Sequence, residues 1–138
     1  MDQKVEAIGR LPIFAKLSRR DLEALAANSE EIDEPPGKVL AAQGTYGTEF
    51  FVIVSGAASV ERDGRHLRDL GPGDHFGELS LLAHIPRTAT VTCSAPSRLI
   101  VLGSREFAAL RMDHPDIENC LLREVAERLA TLEPDRAH

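Results

Sequence analysis

Residues 76–90 read FGELSLLAHIPRTAT. Gly77 and Glu78 precede a short apolar run, and Pro86, Arg87, Thr88 and Ala89 close the stretch. Packing a core requires neither the Glu78 carboxylate nor the Arg87 guanidinium, and on packing grounds alone both would be surface charges. Residues 78–82 are long enough for about one helical turn, whose first amides point outward and favour an anion. Gly77 lets the backbone come close to a ligand. Arg87 then supplies a planar donor fork and Thr88 a hydroxyl. A carboxylate is a poor neighbour for a phosphate but a good acceptor for sugar hydroxyls. A phosphate joined to a sugar is therefore the ligand chemistry that uses both charges.

The flanking sequence is strand-like from about residue 38 to residue 103. Val39-Leu40 opens it. Phe50, Val52 and Val54 alternate with Phe51 and Ile53, the pattern of a strand covered on both faces. Asp63-Gly64 is a two-residue hairpin signal, and Gly71-Pro72-Gly73-Asp74 is a second turn. Thr88, Thr90 and Thr92 alternate with Ala89, Val91 and Cys93, which suits a half-buried strand, and residues 99–102 form the last. Short strands broken by glycine turns predict a small barrel or jelly roll.

Helical patterns lie on both sides. Residues 1–34 are a helical lead-in, with Ser18-Arg19-Arg20-Asp21 shaped like a capping box ahead of Leu22, Leu25 and Ala26. Residues 104–133 are C-terminal helices: Ser104 starts one and Pro115 the other. In the second, Ile117, Leu121, Val125, Leu129 and Leu132 recur at three- and four-residue steps. No linker or repeat divides the chain, so residues 1–138 are expected to form a single domain.

Bulk properties narrow the function. The chain has 138 residues, 43% of them hydrophobic, and a formal net charge of −6. That sign argues against nucleic-acid binding by this chain alone, since phosphate backbones need clustered Lys and Arg. No run approaches a membrane helix and no secretory signal is visible. Cys93 and Cys120 have no metal or redox spacing and read as buried small hydrophobes, which points to a reducing, cytoplasmic setting.

Phe76 to Leu82 followed by Pro86 to Thr90 closely resembles the phosphate-binding cassette of cyclic nucleotide-binding domains. "GTYGTEFFVIVSGAASV" from Gly44 and "LGPGDHFGE" from Leu70 resemble the same family's approach to it. The resemblance covers roughly residues 8–132. It implies a mainly β fold, an eight-stranded jelly-roll barrel with an N-terminal helix and C-terminal helices. It also implies a ligand, cyclic AMP or cyclic GMP, and no metal. Glu78 would accept from the ribose 2′-hydroxyl and Arg87 would pair with the cyclic phosphate. Thr88 and the amides of Gly77, Leu79, Ser80 and Ala89 would complete the phosphate nest. Val60 and Leu67 would form the wall against base and sugar, and Arg128 would reach back toward the ribose.

The implied role is a non-enzymatic sensor signalling through its C-terminal helix, in a branch resembling the bacterial catabolite-activator regulators. The chain is then either a stand-alone module or the sensor half of a regulator whose DNA-binding domain lies elsewhere. A cupin-type metal enzyme is the competing class, since His66, His75, His84 and Glu78 share one third of the chain. It lacks the HxH pair that such sites commonly use. The stripe Leu121, Val125, Leu129 and Leu132 is close to a coiled-coil seam and predicts a weak homodimer.

Overall fold

The computed structural model describes residues 3–131, excepting the side chains of Arg128, Leu129 and Thr131. Helices α1 (Gln3–Gly9) and α2 (Arg19–Ala27) lead into strands β1 (Glu30–Glu34), β2 (Val39–Ala41), β3 (Glu49–Ser55), β4 (Ala58–Arg62), β5 (Arg65–Leu70) and β6 (His75–Phe76). A single helical turn, α3 (Leu79–Leu82), precedes β7 (Thr90–Cys93) and β8 (Ser97–Gly103). Helices α4 (Ser104–Asp113) and α5 (Pro115–Thr131) follow. The strands form two four-stranded antiparallel sheets, ordered β1-β8-β3-β6 and β2-β7-β4-β5. The fold is thus mainly β with flanking helices, a jelly roll as the sequence predicts.

Local chemistry explains the elements. The Ser18 hydroxyl accepts from the Asp21 amide at 3.1 Å, which caps α2 and is worth about 1 kcal/mol. Asp21 does not complete the box in return. Its carboxylate instead meets His114 Nδ1 at 2.7 Å, tying α2 to the junction of α4 and α5. Asp63 and Gly64 both have positive φ, 53° and 77°, the two-residue turn that joins β4 to β5. One expectation needs correction: residues 30–34, placed in the helical lead-in, form β1, which pairs with β8 along its whole length. Its sequence EEIDE carries no helical stripe, and the open edge of β8 captures it.

The alternation in β3 is reproduced in β8. Phe50, Val52, Ile100 and Leu102 pack outward into a cluster with Leu11, Phe14, Leu25, Phe107, Ile117 and Leu121 of the helical segments. Phe51, Ile53, Leu99 and Val101 face the other way, into a barrel-interior cluster with Val60, Phe76 and Val91. Each such side chain contributes about 1.5–3 kcal/mol on burial. Leu121 is fully buried in the first cluster, so it is not available to a helix–helix seam as the spacing suggested; its neighbour Leu122 is exposed. Leu132 and the side chain of Leu129 lie outside what the structure describes. Cys93 and Cys120 are buried free thiols, and burial raises both above the ordinary thiol value. No helix among the described residues is long and apolar enough to cross a membrane.

Candidate functional site

The sheets enclose a cavity of about 140 Å³ that opens beside α3. Gly77, Glu78, Leu79 and Ser80 line one side of it, and Arg87, Thr88 and Ala89 another. The sequence-predicted cassette residues therefore converge on one space. Val60, also predicted, forms part of the floor with Ala41 and Val91.

Arg87 is positioned by backbone. Its own amide donates to Thr45 O at 2.7 Å, and its carbonyl accepts from the Gly44 amide at 2.9 Å. The Nη2 atom donates to Glu49 O at 2.9 Å. The guanidinium lies so close to Gly47 that a Cβ there would overlap it. A Cβ on Gly77 would fall 2.7 Å from Nη1, and Gly77 also has a φ of 88°, so glycine is required there twice over. Burial pulls the Arg87 guanidinium below its ordinary value, and the charges of Glu49 and Glu78 pull it back up. It stays a cation at neutral pH.

Glu78 is 4% exposed, an unusual state for a carboxylate. It precedes the first residue of α3 in helical conformation. Its Oε2 atom lies 3.8 Å from His75 Nδ1, and the other ring nitrogen, Nε2, lies 3.1 Å from Glu124 Oε1 on α5. Ser80 departs from its expected role. Its amide donates to Gly77 O at 3.0 Å inside the turn, so the donor assigned to the anion is already engaged.

Leu67 is not at the wall. It is 42% exposed and absent from the cavity, where Arg68 stands instead. The cause is a register shift. Val60 pairs with Arg68, but Glu61 pairs with His66, so Leu67 bulges out of the ladder. A bulge reverses which residues face inward, and nothing in the strand's composition marks it. Arg128 lies outside the described residues, as far as its side chain is concerned. Of the cupin-type set, His75 and Glu78 come together, beside Glu124, while the other two histidines stay apart: His66 meets Ser59 and Asp69, and the His84 ring stacks on Tyr46 at 4.3 Å.

Sequence reasoning missed Arg68, Phe76, Ile85 and His75 as cavity residues. The approach motif contained His75 and Phe76 without marking their direction. A half-buried cation, a buried carboxylate and apolar walls in one cavity suit a ligand with one anionic group, hydroxyls and a flat apolar part.

Comparison with known proteins agrees. Residues 33–114 match the family described as cyclic nucleotide-binding domain. A CRP-like cAMP-activated global transcriptional regulator of Mycobacterium tuberculosis is 33% identical over 129 residues, covering 90% of this chain and 58% of that protein. A cAMP-dependent protein kinase regulatory subunit of Mycosarcoma maydis is 34% identical over 109 residues, covering 72% of this chain and 21% of that one. The chain thus spans less than two thirds of either relative. The crystal structure of the N-terminal domain of a transcriptional regulator from Streptomyces coelicolor superposes with a TM-score of 0.79 at 32% identity, covering 96% of this chain and 99% of that domain.

Proposed function

Because the chain belongs to the cyclic nucleotide-binding domain family, we propose that it is a regulatory sensor that binds cyclic AMP. In this reading the cyclic phosphate sits against Arg87, Thr88 and the amides of Gly77, Leu79 and Ala89, with the Ser80 hydroxyl alongside. Glu78 accepts from the ribose 2′-hydroxyl, and Val60 and Val91 meet the base. The observation that carries the reading is the seating of Arg87 and Glu78 in one cavity, the cation oriented by Glu49 O and the carboxylate buried. Cyclic AMP is preferred because two relatives at 33% and 34% identity are named for it.

A second reading, cyclic GMP, is favoured by Arg68 and Thr88 at the cavity. A guanidinium fork matches the O6 and N7 acceptors of guanine and is repelled by the adenine amino group. No bond is made or broken in either case. The output is the difference in ligand affinity between two seats of α5, of the order of 1–3 kcal/mol. A homodimer through α5 belongs to the same proposal, its face beginning at the exposed Leu122. The mycobacterial relative suggests control of transcription as the output, by parts of a protein of which this chain spans 58%.

Calorimetric titration with both nucleotides tests the reading, with Arg87→Ala as the control. Loss of the charge that answers a buried phosphate should weaken binding by about 3–5 kcal/mol, two to four decades in Kd. A variant that binds either nucleotide like the parent sinks the assignment.

A further inference from the structure

Residues 87–90 carry the cassette's guanidinium and hydroxyl from the Tyr46–Pro86 bridge to the start of β7. The 43–45 segment holds both ends of this stretch. The Gly44 amide donates to Arg87 O at 2.9 Å, the Arg87 amide to Thr45 O at 2.7 Å and the Gln43 amide to Thr90 Oγ1 at 2.9 Å. The middle is held by a side chain. Arg62, half-buried at the end of β4, donates from Nε to Thr88 O at 3.1 Å. Thr88 and Ala89 line the cavity and Arg62 does not, so the Thr88 carbonyl is engaged by a group outside it.

Peptide geometry carries that bond inward. The Thr88–Ala89 unit is planar and trans, so its C=O and the following N–H point in opposite directions. A carbonyl turned outward to Arg62 turns the Ala89 N–H toward the space that Ala89 lines. A guanidinium donor makes the stronger, charge-assisted kind of hydrogen bond, which holds the peptide plane against rocking. The donor's own base is fixed as well. Gln43 Nε2 donates to Asp63 Oδ1 at 2.8 Å, and the Asp63 amide donates to Gln43 Oε1 at 2.9 Å, one residue beyond Arg62. Gln43 thus clasps the β4–β5 turn with its side chain and Thr90 with its amide, and Arg62 and the peptide it holds share one frame.

We propose that Arg62 is a positioning residue for the anion: by holding the Thr88 carbonyl outward it presents the Ala89 N–H to the phosphate, without touching the ligand. The proposal rests on the cavity being the cyclic nucleotide site. Arg62 acts through a peptide plane that meets only the phosphate, so its effect falls on that group and leaves the sugar contact alone.

The test compares the parent with Arg62→Met, Arg62→Lys and Arg65→Met. Arg65 stands opposite Arg62 across the hairpin, so its removal controls for the loss of a nearby positive charge. Calorimetry uses cyclic AMP, cyclic GMP, their 2′-deoxy forms and the two phosphorothioate diastereomers, in which sulfur replaces one or the other exocyclic oxygen. Thermal melting checks that each variant is folded. Arg62→Met should weaken both nucleotides by a common factor, about 3- to 10-fold, and change the ratio between the diastereomers while the 2′-deoxy ratio stays. Arg62→Lys, which can still donate to the carbonyl, should recover most of the loss, and Arg65→Met should bind like the parent. In nuclear magnetic resonance spectra of the parent, saturating nucleotide should move the Ala89 amide proton downfield, and in Arg62→Met it should move it less. Parent-like affinity in Arg62→Met overturns the proposal while leaving the site intact. So does an equal loss in Arg65→Met, the mark of bulk charge, or a loss in Arg62→Met that leaves the diastereomer ratio unchanged, the mark of a purely structural role. A parent Ala89 amide that saturating nucleotide does not move overturns it as well. A parent that binds neither nucleotide removes the site itself, and the proposal with it.

Discussion

Gly47→Ala separates the seat of Arg87 from the stability of the fold. The Gly47 backbone is not left-handed, so alanine is tolerated there as far as the chain is concerned. Its Cβ would land on the Arg87 guanidinium, the far end of a flexible side chain. The arginine must swing away and give up its 2.9 Å bond to Glu49 O. Loss of that bond costs stability about 0.5–1.5 kcal/mol, and a less flexible unfolded chain returns about 0.4–1 kcal/mol. The two nearly cancel, and the melting temperature should stay within about 5 °C of the parent. Affinity does not share the cancellation. A guanidinium held for a phosphate is worth about 1.5–3 kcal/mol per charge-assisted bond, so Kd should rise about 10- to 100-fold. Gly64→Ala is the opposite case. Gly64 has a φ of 77° and nothing within 4 Å, in the β4–β5 hairpin. That variant should lose about 1 kcal/mol of stability and keep its affinity. Calorimetry and thermal melting on the three proteins decide the matter. Parent-like affinity in Gly47→Ala would refute the argument, because the seat described for Arg87 would then not be its binding seat.

Glu78→Gln keeps the shape and one acceptor but loses the charge-assisted bond to a ribose hydroxyl, a loss of about 1–2 kcal/mol. The parent should discriminate against the 2′-deoxy nucleotide and the variant less; equal discrimination would remove Glu78 from the sugar contact. Asp21→Ala leaves the partly buried His114 ring without its 2.7 Å partner and removes the tie between α2 and the α4–α5 junction. It should cost about 1–3 kcal/mol in denaturant melts, and a variant as stable as the parent would show that the tie contributes nothing.

The parts of the molecule that were legible in the sequence are those set by local rules. The Asp63-Gly64 turn, the Ser18 cap, the two-faced β3 and the cassette spacing each depend on residues within a few positions of one another. What stayed hidden depends on partners far along the chain. β1 is a strand because β8 offers it an edge some 65 residues away. Arg68 rather than Leu67 faces the cavity because of a bulge opposite β4. Ser80's amide is engaged by Gly77 O, a detail of turn geometry rather than of residue type. His75 and Glu124 are 49 positions apart (124 minus 75), and no periodicity links a two-residue strand to a helix.

The sheet that contains β3 and β8 belongs to two hydrophobic clusters, one on each face. A molecule partitioned this way has two free energies of opening. The helical layer buries its apolar side chains on the outer face, so α1, α2, α4 and α5 can detach as a cooperative unit while the interior cluster stays closed. Amide exchange should therefore fall into two families, a faster one in the helices and a slower one in the strands. A ligand that slowed exchange in the helices as well as the strands would be drawing both layers into one unit. The spread between the two exchange rates would then be a direct scale for how far the binding signal has travelled.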